Sequence, residues 1–223
     1  MTSSNTKNIA MKNKFILLLF IITTLTNCNI NQTYDSFDYG KIENDIYSNS
    51  FFNLEISIPN KWFVLDKKTT ENLIEKSKDL VSGDNKNLKA TIKASEINSA
   101  YLLTLFKHEP GAPVDYNPGF MVIAENLKSS PGIKNGADYL FHSRNFLKKS
   151  QIEYNNIDSE FEKVMINNQD FYRMNLDLNK GNLNIKQSYY SIIKNGFSIS
   201  LILSYTTHYQ KKRIRENSQF NKV

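Results

Sequence analysis

The three histidines of this chain are the side chains best suited to metal or acid–base chemistry. His108 and Glu109 are adjacent, and Asp115 follows in the same proline-rich segment. An imidazole and two carboxylates could bind a metal ion or activate a water molecule in a hydrolase. However, the chain lacks H-E-x-x-H or any comparable ligand spacing. We therefore predict no metal and no cofactor, and keep a hydrolase built on these three residues as an alternative.

A second candidate site combines Asp138 and His142, which lie one helical turn apart on one face of a predicted helix. Ser143 adjoins the histidine, but successive helical residues point about 100° apart, so this serine cannot take the position of a triad nucleophile. The chain has no G-x-S-x-G elbow and no glycine-rich phosphate loop. We expect a surface ion pair here, with an exported hydrolase using Asp138 and His142 as the alternative. The predicted set of catalytic residues is therefore empty.

Cys28 is the only cysteine, so the chain can form no internal disulfide. It follows a short basic stretch, MKNK, and an apolar run, Phe15–Thr26. This order is typical of a secretory signal peptide, and the run is shorter than the roughly 20 residues that a transmembrane helix needs. We predict a signal peptide over residues 1–27. The polar residues 28–46, which lack a clear period, are predicted to form a tether.

The tetrapeptide LTNC resembles the lipobox of bacterial lipoproteins, with Leu25 and Thr26 at its first two positions. In that family the signal peptide is removed just before the cysteine, which carries the acyl chains. The resemblance implies lipidation of Cys28, with palmitate among the attached chains, and a membrane-anchored protein of the bacterial cell envelope. An ordinary signal peptide with an unmodified Cys28 is the alternative. Residues 1–10 are polar and unlike the start of a signal peptide, and translation that begins at Met11 would explain them. A signal peptide with a longer N-terminal region that still functions is the alternative.

The charge of the chain argues against a nucleic-acid partner. The net charge is +6, from 28 basic and 22 acidic residues. Residues 1–27 hold three of the lysines and no acidic residue, so the remainder carries 25 basic against 22 acidic residues, a net charge of +3. A nucleic-acid-binding protein needs a concentrated basic face. A length of 223 residues fits one domain with short accessory segments.

The hydrophobic periodicity predicts an α+β fold. FFNLEISIP alternates as a strand, and residues 69–81 have a helical pattern with Leu73, Ile74, Leu80 and Val81 inward. Two strands that are apolar on both faces, Tyr101–Phe106 and Phe120–Leu127, precede a helix over residues 136–150. An antiparallel meander follows, whose turns are marked by LNKGN and KNGF. A short polar helix is expected after Thr207.

The segment Tyr47–Leu65 resembles the opening of the PsbP-like/DcrB-like superfamily, in which a strand ending at a proline precedes a tryptophan and a short second strand. The matching residues are Tyr47, Asn49, Phe52, Pro59 and Trp62. The resemblance covers about residues 47–207 and implies an α/β/α sandwich with a central antiparallel sheet. Members bind, assemble or stabilise partners and share no catalytic centre. We therefore predict a single domain over residues 47–223, with Trp62 in its core.

These observations favour a non-catalytic, membrane-anchored envelope protein that binds or stabilises an unknown envelope protein or small ligand. The segment Lys107–Gly119 is long for a strand connection, and its prolines restrict its freedom. We predict that a partner or ligand binds there, with contacts from His108, Glu109, Asp115 and Tyr116. A rigid cover over one end of the sheet is the alternative role of this loop.

Overall fold

The computed structural model describes residues 37–217, and residues 38–217 belong to one compact unit. The predicted signal peptide and residues 28–36 of the predicted tether, including Cys28, lie outside the described residues. In the part that is described, no helix is both long and apolar enough to cross a membrane.

The described residues form two antiparallel sheets. The strands are β1 (Lys41–Glu43), β2 (Ile46–Asn49), β3 (Leu54–Ser57), β4 (Phe63–Val64), β5 (Ser99–Phe106), β6 (Gly119–Asn126), β7 (Tyr154–Ile157), β8 (Glu162–Ile166), β9 (Gln169–Lys180), β10 (Leu183–Lys194) and β11 (Phe197–Tyr205). The small sheet has the order β1-β2-β3. The large sheet has the order β4-β5-β6-β11-β10-β9-β7, and β8 also pairs with β9. The predicted α+β class is confirmed.

Between residues 37 and 217, four helices accompany these strands: α1 (Lys67–Ser82), α2 (Lys86–Asn98), α3 (Gly136–Leu147) and α4 (His208–Asn217). α1 begins where the Asp66 side chain accepts a hydrogen bond from the backbone N–H of Thr69. The side chain of Asn135 starts α3, and Asp138 completes a reciprocal capping box there. The short polar helix predicted after Thr207 is confirmed as α4.

One face of the large sheet carries α1, α2 and α3. α1 lies over β5, α2 over β5 and β6, and α3 over β9 and β10. On α3, Leu140 and Leu147 pack against Met174 and Leu176 of β9, and these four apolar side chains form a buried cluster. This contact fixes α3 at one side of the helical layer, because burying large aliphatic side chains is the main favourable term in packing.

The opposite face of the large sheet carries the small sheet and α4. Phe52 meets Phe197 of β11 edge to face, with ring centroids 5.3 Å apart. Lys194 at the end of β10 donates a hydrogen bond to the backbone oxygen of Phe52 at 3.0 Å. Near the other end of β11, the ammonium group of Lys211 in α4 lies 5.4 Å from the centre of the Tyr205 ring.

The folded region begins earlier than Tyr47, the predicted start of the domain. β1 pairs with β2 through Lys41 and Ser48, so residues assigned to the tether belong to a hairpin. The turn between these strands places Asn44 and Asp45 at positive φ, which these residue types tolerate better than most. The strand KIE has no buried side chain, so its sequence does not show the alternation of apolar and polar residues that marks a strand packed on a core.

Two predicted core positions are also wrong. Leu80 is 72% exposed, because it lies on the outer side of α1. Trp62 is half-buried instead of enclosed in the core. It precedes β4, a two-residue strand at the edge of the large sheet, where few neighbours can cover a large ring.

Candidate functional site

A large cavity separates the helical layer from the large sheet and has a volume of about 1130 Å³. Its floor is formed by side chains from β5, β6, β10 and β11: Thr104, Phe106, Met121, Ile123, Glu125, Gln187, Tyr189, Ile202 and Ser204. Its walls are formed mainly by apolar side chains of the three helices: Leu73, Ile74, Val81, Leu88, Ile92, Phe146 and Leu147. Ligand sites in proteins commonly occupy about 300–1,000 Å³ and are lined mainly by apolar side chains. The cavity is therefore large enough for a small molecule.

The strand register explains why these floor residues share one face. Met121 lies opposite Thr104 on β5 and opposite Ile202 on β11, and Ile202 in turn lies opposite Tyr189. Opposed residues in neighbouring strands point to the same side of a sheet. The alternate residues of β6, such as Val122, point to the other face and are buried there. The cavity floor is thus a continuous patch across four strands.

The floor extends along β6 from Gly119 to Glu125. Six residue intervals at about 3.4 Å each give a length of about 20 Å. The middle of this floor is apolar, with Met121 and Ile123 on β6 and Ile202 beside them. Polar groups lie at the two ends. The cavity therefore suits an elongated molecule with a long apolar part.

Thr104 is a polar residue within this apolar middle. It is 2% exposed, and its hydroxyl oxygen has no hydrogen-bond partner among the described residues. Leaving a buried hydroxyl without a partner costs about 1–3 kcal/mol. The residue borders the cavity floor, but its hydroxyl oxygen is enclosed by protein atoms.

Glu125 is the main polar group at one end of the cavity. Its carboxylate accepts hydrogen bonds from the hydroxyl of Tyr139 at 2.7 Å and from the hydroxyl of Ser95 at 3.4 Å. α3 supplies the tyrosine and α2 the serine, so both sides of the helical layer meet this strand residue. Burial, followed by the negative charge of Glu125, raises the pKa of the Tyr139 hydroxyl. Tyr139 consequently remains a hydrogen-bond donor through the neutral pH range.

The other end of the cavity is neutral. The hydroxyl of Tyr116 hydrogen-bonds to the hydroxyl of Ser204 on β11, and the Gln187 side chain donates to the same serine oxygen at 3.2 Å. Burial raises the pKa of Tyr116. These groups satisfy one another and close this end of the cavity with uncharged hydrogen bonds.

The remaining charged side chains that line the cavity lie near its mouth. Hydrogen bonds from the Lys78 ammonium group to the carboxylates of Glu75 and Glu96 raise the pKa of Lys78, and the contact with Glu96 is 2.6 Å long. His142 and Lys149 are exposed lining residues on the side of α3. The cavity thus opens to solvent between the helices.

The structure brings one of the four predicted loop residues to this cavity. Tyr116 lines it, whereas His108, Glu109 and Asp115 do not. The loop is held at its base by Asn117, whose side chain donates to the His108 backbone oxygen at 2.7 Å and accepts from the His108 N–H at 2.9 Å. Glu109 and Asp115 are exposed. The loop therefore forms a wall of the cavity through its last residues.

The Asp138 and His142 pair has a different arrangement from the expected surface ion pair. Asp138 accepts hydrogen bonds from the backbone N–H groups of Lys134 at 2.8 Å and Asn135 at 3.2 Å, so its carboxylate caps α3. His142 packs edge to face against Phe141. Within residues 37–217 the two side chains form no ion pair. Likewise, no group of three or more metal-ligating side chains is found in that range.

Sequence reasoning missed Glu125, Thr104 and Tyr139 as site residues. A weak signal was present, because Glu125 and Thr104 are polar residues within the two most apolar strands. Such a residue in a strand that is covered on both faces requires a polar partner or a ligand.

No protein-family model matches the chain, and no curated protein matches it either.

Proposed function

We propose that this chain is a non-catalytic protein of the bacterial cell envelope, anchored through acylated Cys28, whose folded domain binds an apolar small molecule. The observation that carries the binding function is the elongated cavity between the helices and the large sheet, with its apolar middle. The lipobox-like sequence before Cys28 supports the anchor. The ligand-binding domain would then be held close to a membrane surface.

The size of the cavity supports an occupant. The cavity opens to solvent between the helices, so without a ligand its apolar side chains lie against water. Moving these side chains out of water into contact with an apolar ligand is favourable. Buried water needs two to four polar partners, which the apolar middle of the cavity does not offer. An apolar ligand satisfies this region better than water does.

The half-buried apolar residues of α1 and α2 support the same function. Ile74, Val81 and Ile92 are half-buried, and all three line the cavity. An amphipathic helix normally buries such a stripe against the sheet beneath it. Covering these side chains with a ligand would complete their burial at about 25 cal/mol per Å² of apolar area.

The finer description of the fold is part of the proposal. We assign the domain to the PsbP-like/DcrB-like type, an α/β/α sandwich with a central antiparallel sheet. The order of a strand, Pro59, Trp62 and a short second strand supports this assignment. In that family the fold serves binding or assembly, which agrees with a ligand-binding role.

Native mass spectrometry of the full chain in lipid nanodiscs tests the binding function. We expect a fraction of the protein to carry a non-covalent adduct of small-molecule mass in addition to its covalent acyl chains. Ile202→Trp should remove most of this adduct, because the larger ring would fill the cavity floor.

Ile97→Trp is the matched control. Ile97 is 82% exposed and does not line the cavity, so the same substitution there should leave the adduct unchanged. Equal adduct levels in both variants, with both proteins folded by circular dichroism, would contradict ligand binding in the cavity.

A further inference from the structure

We infer that the ligand is a cationic amphiphile, an apolar chain with a protonated amine, whose amine contacts Glu125. This inference rests on the proposed binding function and adds the chemical class of the ligand. A long-chain aliphatic amine is protonated at neutral pH, since the comparable Lys ammonium group has a pKa of about 10.4.

The contacts of Glu125 carry the argument. Its carboxylate receives hydrogen bonds from two neutral hydroxyls, those of Tyr139 and Ser95, and forms no ion pair within the described residues. A carboxylate has about four acceptor positions, so these two bonds leave room for another donor. A cation placed there would satisfy both the hydrogen bonding and the charge.

The other acidic residue that lines the cavity is already neutralised. Glu96 pairs with Lys78 at 2.6 Å. Lys78 also contacts Glu75 on the surface of α1, so its ammonium group is held between two carboxylates at the mouth. Glu125 is therefore the lining carboxylate that contacts no cationic side chain in the described part of the chain.

The position of Glu125 sets the polarity of the ligand. It lies at one end of a floor whose middle is apolar and whose far end is closed by the mutual hydrogen bonds of Tyr116 and Ser204. A molecule with one cationic end and an apolar chain matches this distribution. A fatty acid carboxylate in the same orientation would be repelled by Glu125, whose partly buried side chain is less screened than a charge in water.

Photoaffinity labelling of the full chain in its native membranes tests the inference. The probes are three twelve-carbon chains with the same diazirine, ending in an amine, an alcohol or a carboxylate. Labelled peptides are located by mass spectrometry, and each probe is compared between wild type and Glu125→Gln. This comparison cancels differences in how the probes partition into the membrane.

For the amine probe, we expect Glu125→Gln to weaken labelling of cavity-lining peptides at least tenfold, which corresponds to about 1.4 kcal/mol. Labelling by the alcohol should change less than twofold, and labelling by the carboxylate should stay the same or increase. Glu55→Gln removes the same charge from an exposed residue of β3 and should leave all three probes unchanged.

The alternative outcomes separate this inference from the proposed function. Cavity labelling by all three probes that Glu125→Gln changes equally would overturn the cationic ligand and leave apolar binding intact. An equal loss of amine labelling in Glu55→Gln would also overturn it, because the effect would then be one of net charge. Absence of cavity labelling by any probe would overturn both proposals.

Discussion

At the scale of single residues, Thr104 places a buried hydroxyl among the apolar side chains of β5. Because this hydroxyl has no partner among the described residues, we expect Thr104→Val to stabilise the ligand-free protein by about 1 kcal/mol. Chemical unfolding in urea measures this change. A destabilisation of more than about 1 kcal/mol would show that the hydroxyl has a partner in the folded protein.

Buried tyrosines predict how stability depends on alkaline pH. Burial raises the pKa of Tyr47 to about 12 and that of Tyr101 to about 12, from a usual value of 10.0. Between about pH 10 and pH 12, these tyrosine hydroxyls are deprotonated in the unfolded chain but remain protonated in the folded chain. The contribution of the two hydroxyls to stability is therefore complete below about pH 10 and is lost as the pH rises through 12.

We expect the urea midpoint to be constant from about pH 8 to 9.5 and to fall steeply above pH 10. Tyr47→Phe should reduce this fall, although the variant also loses the hydrogen bond from the Tyr47 hydroxyl to the backbone oxygen of Tyr39 at 2.9 Å. A midpoint that does not change up to about pH 11 would contradict the assigned burial of these hydroxyls.

At the scale of elements, the start of α3 depends on the close approach of Gly136 to β10. A Cβ atom at Gly136 would lie 2.1 Å from the backbone oxygen of Ser191. We therefore expect Gly136→Ala to move α3 away from the sheet and to lower the free energy of unfolding by about 2 kcal/mol or more. Thermal unfolding followed by circular dichroism measures this loss.

Gly132→Ala is the control for this prediction. A Cβ atom at Gly132 would meet nothing within 4 Å, so this substitution should change stability by less than about 0.5 kcal/mol. If the two variants were equally stable, the packing of α3 on β10 would be looser than the structure shows.

Most elements could be predicted from the sequence, because their apolar periods and turn residues are strong local signals. The turn at Asn195 and Gly196 has both residues at positive φ, as its Asn-Gly sequence predicts. The turns at Asn44–Asp45 and Asn167–Asn168 use the same backbone conformation without a glycine. In the first of these hairpins, β1 and β2 could not be recognised because β1 buries no side chain.

At the scale of the whole molecule, the proposed anchor at Cys28 would hold the proposed binding domain at a membrane surface. We expect wild-type protein to incorporate a palmitate analogue and to sediment with membranes, and Cys28→Ser to do neither, because two or three acyl chains are needed for stable anchoring. Metabolic labelling with membrane fractionation is the measurement. Labelling of Cys28→Ser at the wild-type level would contradict the anchor at this residue.

The cavity could not be predicted from the sequence, although the strands and helices around it could. Its floor depends on the register that places Met121 beside Ile202, and its walls depend on how far α1 and α3 lie from the sheet. Neither quantity has a local sequence signal, since apolar helix residues such as Ile74 have the same pattern whether they contact a sheet or a ligand. The predicted loop did contribute Tyr116, because proline-rich connections are placed at strand ends.

A crystal structure of the full chain, purified from its native cells under conditions that retain bound small molecules, tests ligand binding in the cavity. We predict one elongated electron-density feature on the cavity floor, about 20 Å long along β6, with its polar end within hydrogen-bond distance of Glu125. A cavity filled by a network of ordered water molecules would contradict this prediction. So would α1 and α2 packed directly onto Met121 and Ile123, with no space between the helices and the sheet.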